Sequence, residues 1–147
     1  MYKHKETTGQ IIKAFYTVYN ALGYGFLEKV YETALGIELS KLGLTVRPQA
    51  PIEVRYDGHV VGQYFADLLI ADTVIVEVKA VRTLSDAHEA QLLNYLKATQ
   101  IEVGLLLNFG PKPEIKRKIY DNARKGSLSW TDRQVSRESS RSDREGT

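Results

Sequence analysis

The chain has 147 residues, of which 43% are hydrophobic and 26% are charged, and its formal net charge is +2. This length suits one domain with its own core and is short for two, and the composition is that of a globular domain rather than a disordered or membrane-embedded chain. The weak positive charge does not by itself indicate a nucleic-acid-binding protein.

The sequence also bears on location and on metal chemistry. No stretch approaches the roughly 18 apolar residues that a membrane span requires. The opening residues, MYKHKETTGQ, lack the apolar segment of a secretory signal, so we expect a cytoplasmic protein. The absence of cysteine excludes disulfides, a thiol nucleophile and zinc–thiolate sites. Any metal must therefore bind to oxygen or imidazole.

Two helices are predicted in the first third of the chain. In TTGQIIKAFYTVYNALG, residues 7–23, apolar side chains recur every three or four positions behind the candidate N-caps Thr7 and Thr8. A Gly-Tyr-Gly sequence ends this helix, and FLEKVYETALGIELSKLG, residues 26–43, predicts a second helix that ends at Gly43. Its predicted buried side consists of Leu27, Val30, Tyr31, Ala34 and Leu42.

The next segment changes to the period of a β-sheet. β-Branched and aromatic residues, interrupted by the turn dipeptide Asp57-Gly58, predict three antiparallel strands at about residues 51–56, 59–70 and 73–80. These strands contain most of the charged residues that could form a site.

The remainder of the domain is predicted to return to helix and then to strand. SDAHEAQLLNYLKATQ predicts a helix with Ser85 as its N-cap, and VGLLLNFG predicts a buried strand that lies parallel to a central neighbour because a helix precedes it. KPEIKRKIY, residues 112–120, predicts an edge strand or a short helix. The order α-α-β-β-β-α-β defines an α/β domain with a mixed sheet over residues 1–125, and the polar residues 126–147 predict a disordered tail.

Charged residues interrupt the apolar run YFADLLIADTVIVEVKAV in the middle of the chain. If the hairpin loop is the three residues centred on Asp72, partners lie symmetrically about it, so Asp67 faces Glu77 on one face of the sheet. Strand alternation places Lys79 on the face of Glu77. A two-residue loop would instead put the two carboxylates on opposite faces.

Two opposed carboxylates repel each other unless a cation lies between them. Asp67 and Glu77 therefore suit Mg²⁺ or Mn²⁺, hard ions that take carboxylate oxygens and retain water. Lys79 can orient such a water or neutralise charge on a phosphoryl oxygen. This inventory fits metal-assisted phosphodiester hydrolysis. Spacing alone favours an ordinary half-exposed hairpin with a cross-strand salt-bridge set, because Glu-x-Lys is a very common pattern on strands.

Four ordered blocks carry a resemblance to a known family. GFLEKVY, residues 25–31, fits the pattern G-x-x-E-x-x-Y, and FADLLIADTVIVEVKAV, HEAQLLNYLKAT and VGLLLNFG follow it. Over residues 8–120 the chain resembles the bacterial and archaeal GxxExxY protein family, which is placed in the PD-(D/E)XK nuclease superfamily. The resemblance implies a restriction-endonuclease-like core of order α-β-β-β-α-β, here with an extra N-terminal helix.

The resemblance also implies roles for individual residues. Asp67 matches the motif aspartate and Glu77 the second acidic ligand of the metal, while Lys79 matches the catalytic lysine. Glu28 matches the helix carboxylate that many members turn toward the metal. Gln91 matches the glutamine that supports the active site in the RecB-like branch. The proline of the superfamily's name is absent before the aspartate, but that proline is not a ligand.

The function implied by the resemblance is a nuclease that uses Mg²⁺ or Mn²⁺ to hydrolyse phosphodiester bonds of nucleic acid, with DNA as the expected substrate. The alternatives are a catalytically inactive nucleic-acid-binding or protein-interaction module on the same fold, and a phosphoesterase acting on small nucleotides. A homodimer is also considered, because a domain this small grips little duplex. The basic segment KPEIKRKIY would contact phosphate or, equally, protect an edge strand from aggregation.

Three other residues have simpler structural interpretations. Tyr31 is expected in the core, with its hydroxyl on a polar neighbour. Gly25 is expected to set the backbone geometry before the helix. His88 is interpreted as a surface residue near a helix start rather than as a general base or a ligand.

Overall fold

The computed structural model describes residues 3–125, which form three layers. A five-stranded sheet carries two helices on one face and a third helix on the other. The helices are α1 (Lys5–Leu22), α2 (Glu28–Lys41) and α3 (Asp86–Lys97), and the strands are β1 (Val46–Tyr56), β2 (His59–Ile70), β3 (Val74–Lys79), β4 (Val103–Phe109) and β5 (Pro113–Ile119).

The strand order in the sheet is β1-β2-β3-β4-β5. β3 and β4 are parallel and the other neighbours are antiparallel, which confirms the crossover predicted from the helix between them. The segment KPEIKRKIY contains the edge strand β5, so the helical alternative for it is wrong. β1 is the other edge and begins earlier than predicted, because an edge strand tolerates Pro48 and Pro51.

None of the helices within residues 3–125 is long and apolar enough to cross a membrane. The tail predicted for residues 126–147 lies outside the described residues.

Two apolar clusters hold the layers together. The larger cluster joins α1 and α2 to the sheet. At its centre the Phe109 ring lies 4.6 Å from the Phe15 ring and 4.3 Å from the Tyr31 ring, measured between centroids. The smaller cluster packs α3 on the opposite face, where Leu92 and Leu96 are fully buried.

The start of α1 differs from the prediction. The helix begins at Lys5 behind His4, whose φ of 52° is left-handed, so Thr7 and Thr8 are not its N-caps. The Thr8 hydroxyl instead lies inside the first turn and donates to the carbonyl oxygens of His4 and Lys5, each at 3.1 Å.

The buried side of α2 also differs from the prediction. Tyr31, Leu35 and Leu39 are fully buried at steps of four, and Glu32 is buried beside them. The apolar pattern predicted a different buried face because the observed buried face includes the Glu32 carboxylate. This carboxylate accepts a hydrogen bond from Gln49 of β1. Residues predicted to be buried but found exposed are Leu27, Val30 and Leu42.

The side chains of β2 exchange faces of the sheet at Asp67. Ala66 packs in the cluster under α3, whereas Leu68, two residues later, packs in the cluster under α1 and α2. Residues two apart in a regular strand share a face. The strand is therefore irregular at Asp67. In β1, Gln49 lies between the partners of Leu68 and Ala66 and has a left-handed φ of 51°.

Candidate active site

The hairpin loop is the three-residue form on which the predicted site depends. Ala71 and Asp72 have left-handed φ values of 53° and 56°, and the Thr73 backbone N–H donates to the Ile70 carbonyl at 3.0 Å. Asp72 forms an ion pair with Arg47 at 2.6 Å and takes no part in the site. The turn interpretation of Asp72 is confirmed.

Beyond this turn the two strands separate. The regular ladder ends where Leu68 pairs with Val76, so Asp67 and Glu77 do not form the direct ladder pair that was predicted. Side chains replace the missing backbone bonds: the Asp67 backbone N–H donates to Glu77 Oε2 at 2.9 Å, and the Val78 backbone N–H donates to Asp67 Oδ2 at 2.7 Å. The two carboxylates are thereby fixed in the seam between β2 and β3.

Glu77 is buried and Asp67 is partly buried. Glu77 is 3% exposed, and burial together with the neighbouring Asp67 carboxylate raises its pKa to about 8. Burial also raises the pKa of Asp67, although the N–H of Val78 and the charge of Lys79 act in the opposite direction. A bound cation would relieve this cost, because it stabilises both ionised carboxylates.

Lys79 ends β3, is partly buried, and its positive charge lowers the pKa of both carboxylates. In the part of the chain that is described, its ammonium forms no ion pair with either of them. The half-exposed, salt-bridged hairpin therefore does not describe this structure, since Glu77 is almost completely buried.

The G-x-x-E-x-x-Y segment builds the start of α2. The Tyr31 hydroxyl donates to the Gly23 carbonyl at 2.6 Å and accepts the Phe26 backbone N–H at 3.1 Å, and Gly25 has a φ of 116°. These contacts confirm the structural interpretations of Tyr31 and Gly25. They place Glu28 as the first residue of α2, where its charge contributes to raising the pKa of Asp67.

Glu32 is a second helix carboxylate, and the sequence analysis missed it as a site residue. It is 8% exposed, accepts a hydrogen bond from Gln49 Nε2 at 3.3 Å and lies 3.7 Å from the Lys29 ammonium. Burial and then the Asp67 carboxylate raise its pKa. Its position one helical turn after Glu28 was the available signal.

Within residues 3–125, no group of three or more His, Asp or Glu side chains is arranged to hold a metal ion. Glu28 therefore does not join Asp67 and Glu77 in a ready three-ligand site. The pair alone still fits a hard cation, because Mg²⁺ commonly binds through one or two carboxylates together with waters and substrate phosphates. The hydrogen bonds to the pair use Asp67 Oδ2 and Glu77 Oε2, and each carboxylate has a second oxygen.

Gln91 is exposed on α3 and lines a cleft of about 470 Å³ between this helix and the β1–β2 hairpin. We call this space the hairpin–helix cleft; Val54 and Tyr64 line it from the hairpin, and Gln91, Asn94, Tyr95 and Lys97 line it from α3.

The hairpin–helix cleft lies on the face of the sheet that carries Glu77, because Ile75, two residues before Glu77, packs under α3. Burial, and then the charges of Glu77 and Asp67, raise the pKa of Tyr95 to about 12. The structure thus brings Gln91 to the same side of the sheet as Glu77, and the supporting role of Gln91 stays a prediction.

His88 caps α3. Its Nδ1 accepts the Ser85 backbone N–H at 3.0 Å, and the Ser85 hydroxyl accepts the His88 backbone N–H at 3.3 Å. This reciprocal arrangement confirms Ser85 as the N-cap and His88 as a residue of the helix start.

Asn108, which the sequence analysis also missed, holds the segment that follows Lys79. It is fully buried; its amide nitrogen donates to the Val81 carbonyl at 2.9 Å and to Glu114 Oε1 at 2.8 Å, and its amide oxygen accepts the Val81 N–H at 2.9 Å. One amide thus ties the end of β3 to β4 and β5. The signal was an asparagine within the apolar run VGLLLNFG.

Residues 5–118 match the family model described as the PD-(D/E)XK nuclease superfamily, and the chain belongs to that superfamily. The matched segment extends from α1 into β5, and the mixed sheet with helices on both faces agrees with that fold. Comparison with curated proteins and with solved structures gives no significant match.

Proposed function

We propose that the protein is a metal-dependent nuclease that hydrolyses phosphodiester bonds of nucleic acid, with DNA as the expected substrate. The observation that carries the proposal is the carboxylate pair of the partly buried Asp67 and the buried Glu77, which backbone N–H groups fix where β2 and β3 separate, next to Lys79. Membership of a nuclease superfamily supports the same function.

Asp67 and Glu77 are the residues that would hold Mg²⁺ or Mn²⁺. A divalent ion held there lowers the pKa of a water and offsets negative charge on a phosphoryl oxygen. Glu28, at the start of α2, would assist directly or through a water molecule. The raised pKa of Glu77 matters here, because ion binding requires the carboxylate to release its proton.

Lys79 would orient the attacking water and neutralise charge that develops on the phosphoryl group. The water oxygen forms a bond to phosphorus, the bond from phosphorus to the bridging ester oxygen breaks, and a proton passes to the departing oxygen. Gln91 would support the site from α3, and the bonds of Asn108 to Val81 would keep the chain after Lys79 in place.

The test is cleavage of labelled single- and double-stranded DNA and RNA with Mg²⁺, with Mn²⁺ and with a chelator. Wild-type protein is compared with Asp67→Ala and Lys79→Ala. The matched control is Asp72→Asn, which removes a carboxylate from the same hairpin that is exposed and paired with Arg47 outside the site.

We expect metal-dependent cleavage by the wild type and the control, and loss of cleavage with retained nucleic-acid binding in the two site variants. No metal-dependent cleavage of any substrate, or equal cleavage in all four proteins, would reject the nuclease. Binding without cleavage in the wild type would indicate the inactive binding module, and turnover of small nucleotides alone would indicate a phosphoesterase.

A further inference from the structure

The hairpin–helix cleft has properties that the proposed chemistry does not use. Its volume of about 470 Å³ is within the range of small-ligand sites, which is roughly 300–1,000 Å³. It opens between β2 and α3, and one of its lining residues, Tyr95, is near enough to Glu77 and Asp67 for their charges to raise its pKa. Ile75, two residues before Glu77, packs under α3, so a group bound in the cleft would lie on the face of the sheet that carries Glu77.

Two tyrosine rings form one part of the cleft. The Tyr64 ring centroid lies 5.8 Å from that of Tyr95, with 43° between the ring planes. Tyr95 is 7% exposed, but Tyr64 remains 47% exposed although it faces the cleft. An exposed aromatic face at a cleft favours stacking of a flat, apolar group such as a nucleobase.

Two amides form the polar part of the cleft. Gln91 and Asn94 are three residues apart on α3, so both lie on the same helical face. Both side chains are exposed, and neither is hydrogen-bonded to another residue between 3 and 125. An amide offers a donor and an acceptor side by side, which matches the hydrogen-bonding edge of a base.

The charges around the cleft suit the backbone of a nucleic acid. Lys97 also lines the cleft, and its ammonium lies 5.5 Å from the Tyr120 ring centroid. Lys97 would supply a positive charge for a phosphate of the strand that carries a base held between Tyr64 and the amides. This arrangement requires a base whose edge and faces are both free, which a base inside an intact duplex does not have.

We propose that the hairpin–helix cleft receives an unpaired nucleobase of the substrate, so that the site acts on single-stranded or locally unpaired nucleic acid in preference to intact duplex. The proposal rests on the nuclease function proposed above and extends it to the class of substrate. Tyr64 supplies the stacking face, and Gln91 and Asn94 supply the contacts to the base edge.

The test measures binding rather than cleavage, with full-length protein in a chelating buffer. Fluorescence anisotropy gives the affinity for short single-stranded oligonucleotides of adenine, cytosine or thymine alone and for a blunt duplex. The variants are Tyr64→Leu, Tyr64→Phe and Asn94→Ala. The controls are Tyr56→Leu, an exposed tyrosine near the tip of the same hairpin, and Asn20→Ala, an exposed amide on α1.

We expect tighter binding of single strands than of duplex, and about a tenfold loss of single-strand affinity in Tyr64→Leu, as for the loss of one stacked base. Tyr64→Phe should keep the affinity because it keeps the ring. Comparison of Tyr64→Phe with Tyr64→Leu therefore separates the loss of stacking from a disturbed fold. Asn94→Ala should reduce the difference in affinity between the three bases. Duplex affinity should be unchanged in every variant.

Equal losses for single strand and duplex, equal effects of Tyr64→Leu and Tyr56→Leu, or no effect of any variant would each overturn the cleft proposal. Because the assay needs no metal and no turnover, its outcome is separate from that of the nuclease proposal. Selective binding of single strands by a protein that never cleaves would reject the nuclease proposal and support the cleft proposal. Cleavage that is unchanged in the Tyr64 and Asn94 variants would support the nuclease proposal and reject the cleft proposal.

Discussion

Asp67 and Glu77 are tied to each other through the backbone: the Glu77 carboxylate accepts the N–H of Asp67, and the Asp67 carboxylate accepts the N–H of Val78, the residue after Glu77. Each side chain therefore positions the strand that carries the other. The irregularity in β2 follows from the same feature, because these bonds replace regular pairing where the strands separate.

This linkage predicts that the two carboxylates act as one unit. Asp67→Asn and Glu77→Gln keep the shape of the acceptor but remove the charge, so each alone should reduce metal-dependent cleavage as far as the double variant does. Single-turnover cleavage rates of the two single variants and the double variant check this. Additive losses, in which the double variant is slower by the product of the two single factors, would show independent roles.

The metal-free protein should lose stability as the pH rises from about 5 to 8. The pKa of Glu77 is raised from 4.5 to about 8 in the folded chain, so in this interval the folded state keeps a proton that the unfolded state has released. The contribution of this proton to the free energy of unfolding is complete below the pKa of Glu77 in the unfolded chain. It is lost as the pH rises through the pKa of Glu77 in the folded chain. One such group gives a slope of about 1.4 kcal/mol per pH unit.

Urea unfolding with a chelator present, at several pH values, measures this slope. Glu77→Gln should reduce it, while Asp72→Asn, whose carboxylate has a lowered pKa and is ionised throughout the interval, should leave it unchanged. Mn²⁺ added at the upper end of the range should restore stability to the wild type and not to Glu77→Gln. A free energy of unfolding that is constant or rises over this interval would contradict the burial of a protonated Glu77.

Asn108→Ala should destabilise the fold by at least about 2 kcal/mol, because it leaves the partly buried backbone N–H and carbonyl of Val81 without their side-chain partners. It should also slow cleavage, since the chain after Lys79 loses its anchor. The control, Asn20→Ala at an exposed site on α1, should change the free energy of unfolding by less than about 0.5 kcal/mol. Equal urea unfolding midpoints for the two variants would show that Asn108 does not anchor this part of the chain.

Tyr31→Phe tests the interpretation of the tyrosine in the G-x-x-E-x-x-Y segment. The variant keeps the ring stacked on Phe109 but loses the bonds to Gly23 and Phe26, so we expect a loss of about 1–2 kcal/mol in the free energy of unfolding. Tyr16→Phe, at a tyrosine that is 41% exposed, is the control and should be near neutral. A neutral Tyr31→Phe with reduced cleavage would indicate instead that the hydroxyl contacts the substrate.

Local patterns in the sequence were sufficient for much of the fold. The loop around Asp72, the N-cap Ser85 and the parallel β4 were all predicted, because each depends on neighbouring residues or on the connection between two strands. The proximity of Asp67 and Glu77 was also predicted, because the length of the loop sets the register of the hairpin.

The remaining features depend on contacts between distant elements. The burial of Glu32 requires Gln49 from β1, and the fold of the chain after Lys79 requires Asn108 from β4, so neither follows from periodicity. The departure of Asp67 from simple alternation arises because side-chain bonds to the backbone of β3 outweigh regular pairing at that level. No pattern within β2 alone specifies such a change.

The central claim is that Asp67 and Glu77 together hold the divalent ion, and calorimetric titration with Mn²⁺ tests it most directly. We predict saturable binding to the wild type and to Asp72→Asn, and loss of that binding in both Asp67→Asn and Glu77→Gln. Unchanged Mn²⁺ affinity in either of these two variants would contradict the account.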